Sequence, residues 1–211
     1  MSVEAERLVL ETVDGVILDG EAAVPRAPWA AAVVCHPHPL YGGNMRNNVV
    51  DALVRALSAA GVATVRFDFR GVGRSGGEHG DGETERLDVV AAIDAVAPLA
   101  GDGPLLLAGY SFGAAVALSV ADPRLDGWYA VAPPLAVAGR NALIAGTDHR
   151  PKVIEAPEHD QYTPPAVMQE AIAGWTATTV EVVAMADHFL AGATAVVAER
   201  AVATATSLAG R

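Results

Sequence analysis

The chain has 211 residues, 52% apolar and 18% charged, which suits one globular domain over 1–211 with a large buried core and excludes a disordered or solvating chain. Fourteen Lys and Arg against 25 Asp and Glu leave a formal net charge of −11, a surface that repels phosphate backbones and anionic lipid headgroups, so neither nucleic acid nor a membrane is an expected partner. The single cysteine, Cys35, allows no internal disulfide and no cysteine metal cage. The first ten residues lack a basic and then apolar secretory signal, and no window of about 18 residues is free of charges or Pro/Gly breaks; a cytoplasmic protein is expected.

In chain order, the partly alternating runs 7–12 and 16–24 flank Asp14-Gly15, which predicts an antiparallel hairpin. After Pro25 and Pro28 the pattern changes. Short apolar runs rich in β-branched residues, at 29–35, 62–69, 104–109, 125–132, 152–156 and 178–185, suit strands buried on both faces. Helical spacing with few breakers covers 48–60, 83–97, 112–121, 165–175 and 189–208. This alternation predicts an α/β fold, with a mostly parallel central sheet and helices on both faces behind the N-terminal hairpin. Ligand sites in such sheets lie at the C-terminal ends of the strands, so chemistry is sought just after each run.

The run 29–35 ends in His36-Pro37-His38-Pro39-Leu40-Tyr41-Gly42-Gly43, the loop from which this architecture draws a backbone N–H for an oxyanion. The two prolines have none to give, which leaves His38, Leu40, Tyr41 and the glycines, with Leu40 the first candidate. His36 and His38 lie two apart, as same-side strand residues do, but no third ligand stands nearby and no metal is expected. Residues 71–76, Gly-Val-Gly-Arg-Ser-Gly, satisfy the dinucleotide pattern G-x-G-x-x-G. Gly77, Gly80 and Gly82 delay the following helix, however, and no acid closes the next strand, so the segment reads as a structural loop whose glycines supply positive φ.

Gly109-Tyr110-Ser111-Phe112-Gly113 is G-x-S-x-G between a strand and a helix. Such a turn is sharp and strained, lifts the serine hydroxyl clear of the sheet, and needs small residues on either side where backbone passes close. It makes Ser111 the candidate nucleophile and the N–H of Phe112 the other oxyanion donor. An activated serine needs a base, and the base an orienting carboxylate, in the order Ser, Asp/Glu, His. Among six histidines, His188 alone follows the last strand and precedes the last helix, so it is the candidate base. Asp160, in the loop after 152–156, is the candidate acid, with Glu158 and Asp148 as rivals.

Residues 36–39 with Gly42-Gly43, residues 66–75, residues 109–113, Asp160 and Asp187-His188-Phe189, in this order over nearly the whole chain, resemble the α/β-hydrolase fold family, and within it the small bacterial dienelactone-hydrolase-like and esterase-like proteins. The resemblance implies a serine hydrolase without cofactor that cleaves a small-molecule carboxylic ester through an acyl-enzyme. Dienelactone hydrolases proper carry cysteine where Ser111 stands, so their substrate class does not carry over. Acyl transfer on the same triad, and a non-catalytic binding or scaffold protein that keeps the fold, are the alternatives. The connection 133–151, where this fold usually inserts a lid, is too short for a large cap domain. An open site bordered by Leu40, Tyr41, Met45, Phe112, Pro134, Leu143 and Phe189 is expected to favour a short acyl chain.

Overall fold

The computed structural model describes residues 3–135 and 143–210. Eight strands, β1 (Ala5–Glu11), β2 (Ile17–Ala23), β3 (Ala30–Cys35), β4 (Val62–Phe67), β5 (Leu105–Tyr110), β6 (Gly127–Val131), β7 (Lys152–His159) and β8 (Thr178–Asp187), form one sheet in the order β1-β2-β4-β3-β5-β6-β7-β8. The hairpin forms as expected, with Ala5 opposite Ala23 and Glu11 opposite Ile17, and Gly15 at φ 80° in its turn. β2 lies antiparallel to β4, and from β4 to β8 every pairing is parallel.

Among the described residues, five α-helices cover the two faces: α1 (Asn48–Ala59), α2 (Glu85–Ala100), α3 (Phe112–Leu118), α4 (Pro165–Ala171) and α5 (Thr194–Leu208). Successive strand residues point to opposite faces, and β3 divides its side chains accordingly. Ala31, Val33 and Cys35 join a core with Ile93 and Val96 of α2 and Leu118 of α3, while Ala30, Ala32 and Val34 join Leu53 and Leu57 of α1 and Val197 and Ala201 of α5. With both faces covered, every residue of β3 is buried, which is why the sequence shows a continuous apolar run there and not an alternating one. Asn47 starts α1 by accepting the Val49 N–H at 3.0 Å, one of the donors that a helix start leaves unpaired. No large cap domain interrupts the sheet; residues 136–142 of the 133–151 connection lie outside the described residues.

The expected boundaries shift where backbone chemistry overrides side-chain pattern. The helix foreseen over 165–175 stops at Ala171 ahead of Gly174 at φ 91°, and Trp175 turns instead against Gly146. The helix foreseen from 189 begins at Thr194, because Leu190 adopts φ 56°. The strands foreseen to end at 156 and 185 run on to His159 and Asp187 through a register shift between Pro157 and His159, with Met185 at φ 58°. Pro157 gives no N–H to a ladder, which hid this extension in the sequence.

Two buried polar groups hold the loops that leave β3 and β4. His36, fully buried, donates from Nδ1 to the Pro37 carbonyl at 2.6 Å and accepts the Phe69 N–H on Nε2 at 3.0 Å, so both ring nitrogens are engaged in the neutral form. Arg70 joins Asp88 of α2 at 2.7 Å to Asp14 of the hairpin turn at 2.9 Å. Asp88 is wholly buried and also accepts the Arg70 N–H at 2.9 Å.

Burial depresses the His36 imidazole to about 4, only partly opposed by its bond to the Pro37 carbonyl. The unfolded value is near 6.5, so the unfolded chain binds the extra proton first and the stabilisation, complete above about pH 6.5, is lost as pH falls through about 4. Urea unfolding at stepped pH is expected to show a one-proton decline over that interval, totalling about 3 kcal/mol, and His36→Gln should flatten it. Removing Arg70 leaves the Asp88 carboxylate uncompensated in the interior; Arg70→Ala is expected to cost about 3–5 kcal/mol in the same assay at neutral pH.

Candidate active site

Ser111 stands between β5 and α3 with φ 52° and ψ −120°, a conformation that a residue with a Cβ adopts only when its surroundings impose it. The two glycines of the motif explain the imposition. A Cβ on Gly109 would lie 2.5 Å from the Gly113 carbonyl oxygen, and one on Gly113 would lie 2.4 Å from the His36 carbonyl oxygen. Backbone from β5, α3 and the end of β3 therefore meets without side chains between. The Ser111 N–H is anchored on the Val131 carbonyl at 2.8 Å, and the side chain faces the cleft at the C-terminal end of the sheet.

Ser111 Oγ lies 2.9 Å from His188 Nε2, and His188 Nδ1 lies 2.8 Å from Asp160 Oδ2. Asp160 is buried, and its Oδ1 accepts the N–H groups of Tyr162 at 2.8 Å and Thr163 at 3.0 Å. Burial alone would raise this carboxyl, but the His188 bond and the two N–H donors outweigh it and hold Asp160 below the usual carboxylate range. An ionised Asp160 keeps the proton of neutral His188 on Nδ1 and leaves Nε2 free to accept from the Ser111 hydroxyl. The rivals stand elsewhere: Glu158 accepts the Met185 N–H, and Asp148 is held by Arg150 at 2.6 Å. Tyr110 donates its hydroxyl to the His188 carbonyl at 2.9 Å, and the Tyr162 ring meets the imidazole edge-on at 4.6 Å between centroids.

These groups open into a cleft of about 760 Å³, within the ~300–1,000 Å³ typical of small-molecule sites. Tyr41, Phe112, Pro134, Leu143 and Phe189 line it. Met45 does not. It is buried behind the cleft, where its N–H donates to Asp68 Oδ1 at 2.7 Å. Leu40 is displaced too, being 73% exposed and outside the cleft, with its N–H spent on His38 Nδ1 at 3.2 Å. The reason is a 3-10 turn at Pro39–Tyr41, which consumes the loop's donors: Tyr41 and Gly43 donate to the His38 carbonyl and Gly42 to the Pro39 carbonyl. Of the N–H groups from 38 to 43, that of His38 alone has no acceptor among the described residues, as is also true of the N–H of Phe112 at the start of α3. His38 lines the cleft, and its ring rests on that of Phe112 at 4.8 Å.

Tyr110 and Tyr162 carry no signal of their own in the sequence, although each adjoins or lies close to a residue of the relay. The glycine-rich segment 71–76 forms a closed loop, in which Ser75 donates to the Asp68 carbonyl at 2.6 Å and accepts the Asp19 N–H at 2.9 Å. Gly71 and Gly73 have positive φ there, at 75° and 58°. Among the described residues no group of three or more His, Cys, Asp or Glu side chains is placed to hold a metal ion, and no helix is long and apolar enough to cross a membrane.

Known proteins share this architecture. An α/β serine hydrolase homologue from Coxiella burnetii is 29% identical, with 94% of this chain and 96% of that one superposed at a TM-score of 0.84. A lidless α/β serine hydrolase from Xanthomonas campestris is 25% identical over 100% of this chain and 98% of its own, at a TM-score of 0.87. An uncharacterised protein of Rickettsia prowazekii is 39% identical over 120 residues, 54% of this chain and 49% of that protein, so the match spans about half of the relative's length. The sequence profile of the serine aminopeptidase S33 hydrolases matches residues 28–149, more than half of the chain. With the sheet order and the serine turn in agreement, the chain belongs to that family of α/β hydrolases.

Proposed function

We propose that the protein hydrolyses carboxylic esters of short acyl chain through an acyl-enzyme on Ser111. The observation that carries the reading is the unbroken relay from Ser111 Oγ to His188 Nε2 at 2.9 Å and from His188 Nδ1 to Asp160 Oδ2 at 2.8 Å. His188 takes the hydroxyl proton as Ser111 attacks the ester carbonyl, then returns it to the departing alcohol; Asp160 holds the imidazole tautomer and stabilises the imidazolium. The N–H groups of Phe112 and His38 hold the oxyanion, His38 replacing Leu40 because the turn's own hydrogen bonds occupy the Leu40 N–H. Water, activated by the same histidine, then releases the acid.

The leaving oxygen must approach His188, so the alcohol lies on the side of Tyr162 and Phe189, and the acyl group extends along α3 past Phe112 and Val116 toward Leu143. The rim side chains Tyr41, Tyr162 and Phe189 are each more than half exposed, so carbons beyond the groove return to water and gain nothing of the ~0.8 kcal/mol that a buried CH₂ brings.

A fluorophosphonate probe is expected to label Ser111 in the folded wild type; no labelling would end the hydrolase reading. Ser111→Ala and His188→Ala should keep the circular dichroism of the fold and lose about 10⁴–10⁶ in kcat, with Asp160→Asn losing less. On p-nitrophenyl esters, kcat/KM is expected to peak between about C2 and C6 without a jump at the micelle concentration. A preference for C12 to C16 would contradict the short groove, and an aminoacyl p-nitroanilide run beside the esters separates ester from amide cleavage.

A further inference from the structure

We propose that the His79–Glu85 pair is a positioning element for the oxyanion hole, a second carboxylate–histidine couple on the side of Ser111 opposite Asp160. The inference rests on the proposed role of Ser111 and concerns how the two N–H donors beside it are held.

Glu85, in the first turn of α2, is wholly buried, which is rare for a carboxylate without a dedicated set of donors. Its set is complete. Oε1 accepts His79 Nδ1–H at 2.8 Å and the Gly80 N–H at 2.7 Å, and Oε2 accepts the Gly82 N–H at 2.9 Å. Asp160 is bound in the same way, by one imidazole and two backbone N–H groups. The loop that Glu85 gathers is tight, since a Cβ on Gly80 would lie 2.0 Å from Thr84 Oγ1. At Gly82 the loop passes over Phe112 and Val116, where an added Cβ would lie 3.6 and 3.7 Å from them.

The imidazole that this carboxylate fixes is the platform under both oxyanion donors. The His79 ring centroid lies 5.0 Å from that of His38 and 5.3 Å from that of Phe112, and those two rings lie 4.8 Å apart. Three rings thus close a triangle, two of them belonging to the residues whose N–H groups have no acceptor among the described residues. His38 is further tied to its own turn through Nδ1, so a shift of its ring moves its backbone. Packing alone does not call for histidine at 79. Its Nε2 is buried with no hydrogen-bond partner among the described residues, an Asp81 carboxylate oxygen being 3.5 Å away. A phenyl ring would fill the same space without burying that nitrogen unpaired. What a phenyl ring lacks is the Nδ1–H that binds Glu85 and so fixes the platform to α2.

His79 touches no reacting atom, and its effect should be confined to the transition state. The test compares wild type with His79→Ala, His79→Phe and Glu85→Gln on p-nitrophenyl butyrate, each rate divided by the sites titrated with a fluorophosphonate, so that misfolded protein is not counted. Removing an oxyanion donor costs about 10²–10³ in kcat, and displacing two should cost about 10–100-fold. His79→Ala is expected to lose that much kcat with KM within about twofold, and Glu85→Gln and His79→Phe to lose less, since each keeps the ring stack and breaks a hydrogen bond. The same variants should weaken a trifluoromethyl ketone, whose hemiketal oxyanion enters the hole, by the factor lost in kcat, while the matched methyl ketone binds unchanged. A merely structural role would lower Tm and leave kcat per titrated site alone. A per-site kcat of His79→Ala and His79→Phe within twofold of wild type, or a loss carried wholly by KM, overturns the proposal. A wild type that the fluorophosphonate does not label fails at the hydrolase reading itself, before any variant is compared.

Discussion

Three stretches of main chain crowd together where β5 turns into α3, and the rest of the site depends on that contact. Gly109 lies against the carbonyl of Gly113, and Gly113 against the carbonyls of Cys35 and His36, at separations that exclude even a methyl group. The turn between them has no room for relaxed geometry, and Ser111 is forced to φ 52°. The helix beyond the turn holds the strain in place, because all seven residues of α3 are buried and cannot swing away to relieve it. One contact between glycine backbones thereby fixes the hydroxyl, the start of α3 and the loop leaving β3 with respect to each other. A site whose parts come from distant sequence needs such a fixed reference, since an error of about 1 Å in placement can cost a hundredfold in rate.

Electrostatics adds a symmetry that the motif alone does not convey. On either side of Ser111 a buried carboxylate binds one imidazole and two backbone N–H groups: Asp160 with His188, and Glu85 with His79. The outcome differs with what the far ring nitrogen meets. His188 Nε2 reaches the Ser111 hydroxyl, whereas His79 Nε2 has no hydrogen-bond partner among the described residues and so no group to exchange a proton with there. At Asp160 the imidazole and the two backbone donors hold the carboxyl below its usual range inside the fold without an arginine, and hence without a countercharge that would compete for an anion at the serine.

Side-chain pattern made most of this architecture readable. Apolar runs of β-branched residues stood out because the strands are buried on both faces, and G-x-S-x-G could be read because backbone proximity requires those glycines. Chain order pointed to Asp160 and His188, the two side chains that stand in line with Ser111. What escaped was hydrogen-bond accounting within loops. Leu40 reads as the first candidate donor from the sequence, and only the 3-10 turn at Pro39–Tyr41 shows that it has already spent its N–H on His38 Nδ1. Met45 looks like a pocket wall from its place beside Gly42-Gly43, yet its N–H is claimed by Asp68 from 23 residues away and drawn inward. Glu85 and His79 sit among glycines and charges with no periodic signal, and their meaning arises from burial, which no local pattern reports.

Asp160 and His188 come after the last two strands of the sheet, and β8 is an outer strand, with β7 as its one strand neighbour among the described residues and most of its length exposed. Ser111 comes after a central strand with a partner on each side. The relay therefore joins the centre of the sheet to one of its margins. Outer strands open at lower free energy than the global transition, in units that come and go while the core persists. Because His188 is held at the end of β8, any opening of that strand separates it from Ser111, while the serine turn and most of the spectroscopic signature of the fold stay intact.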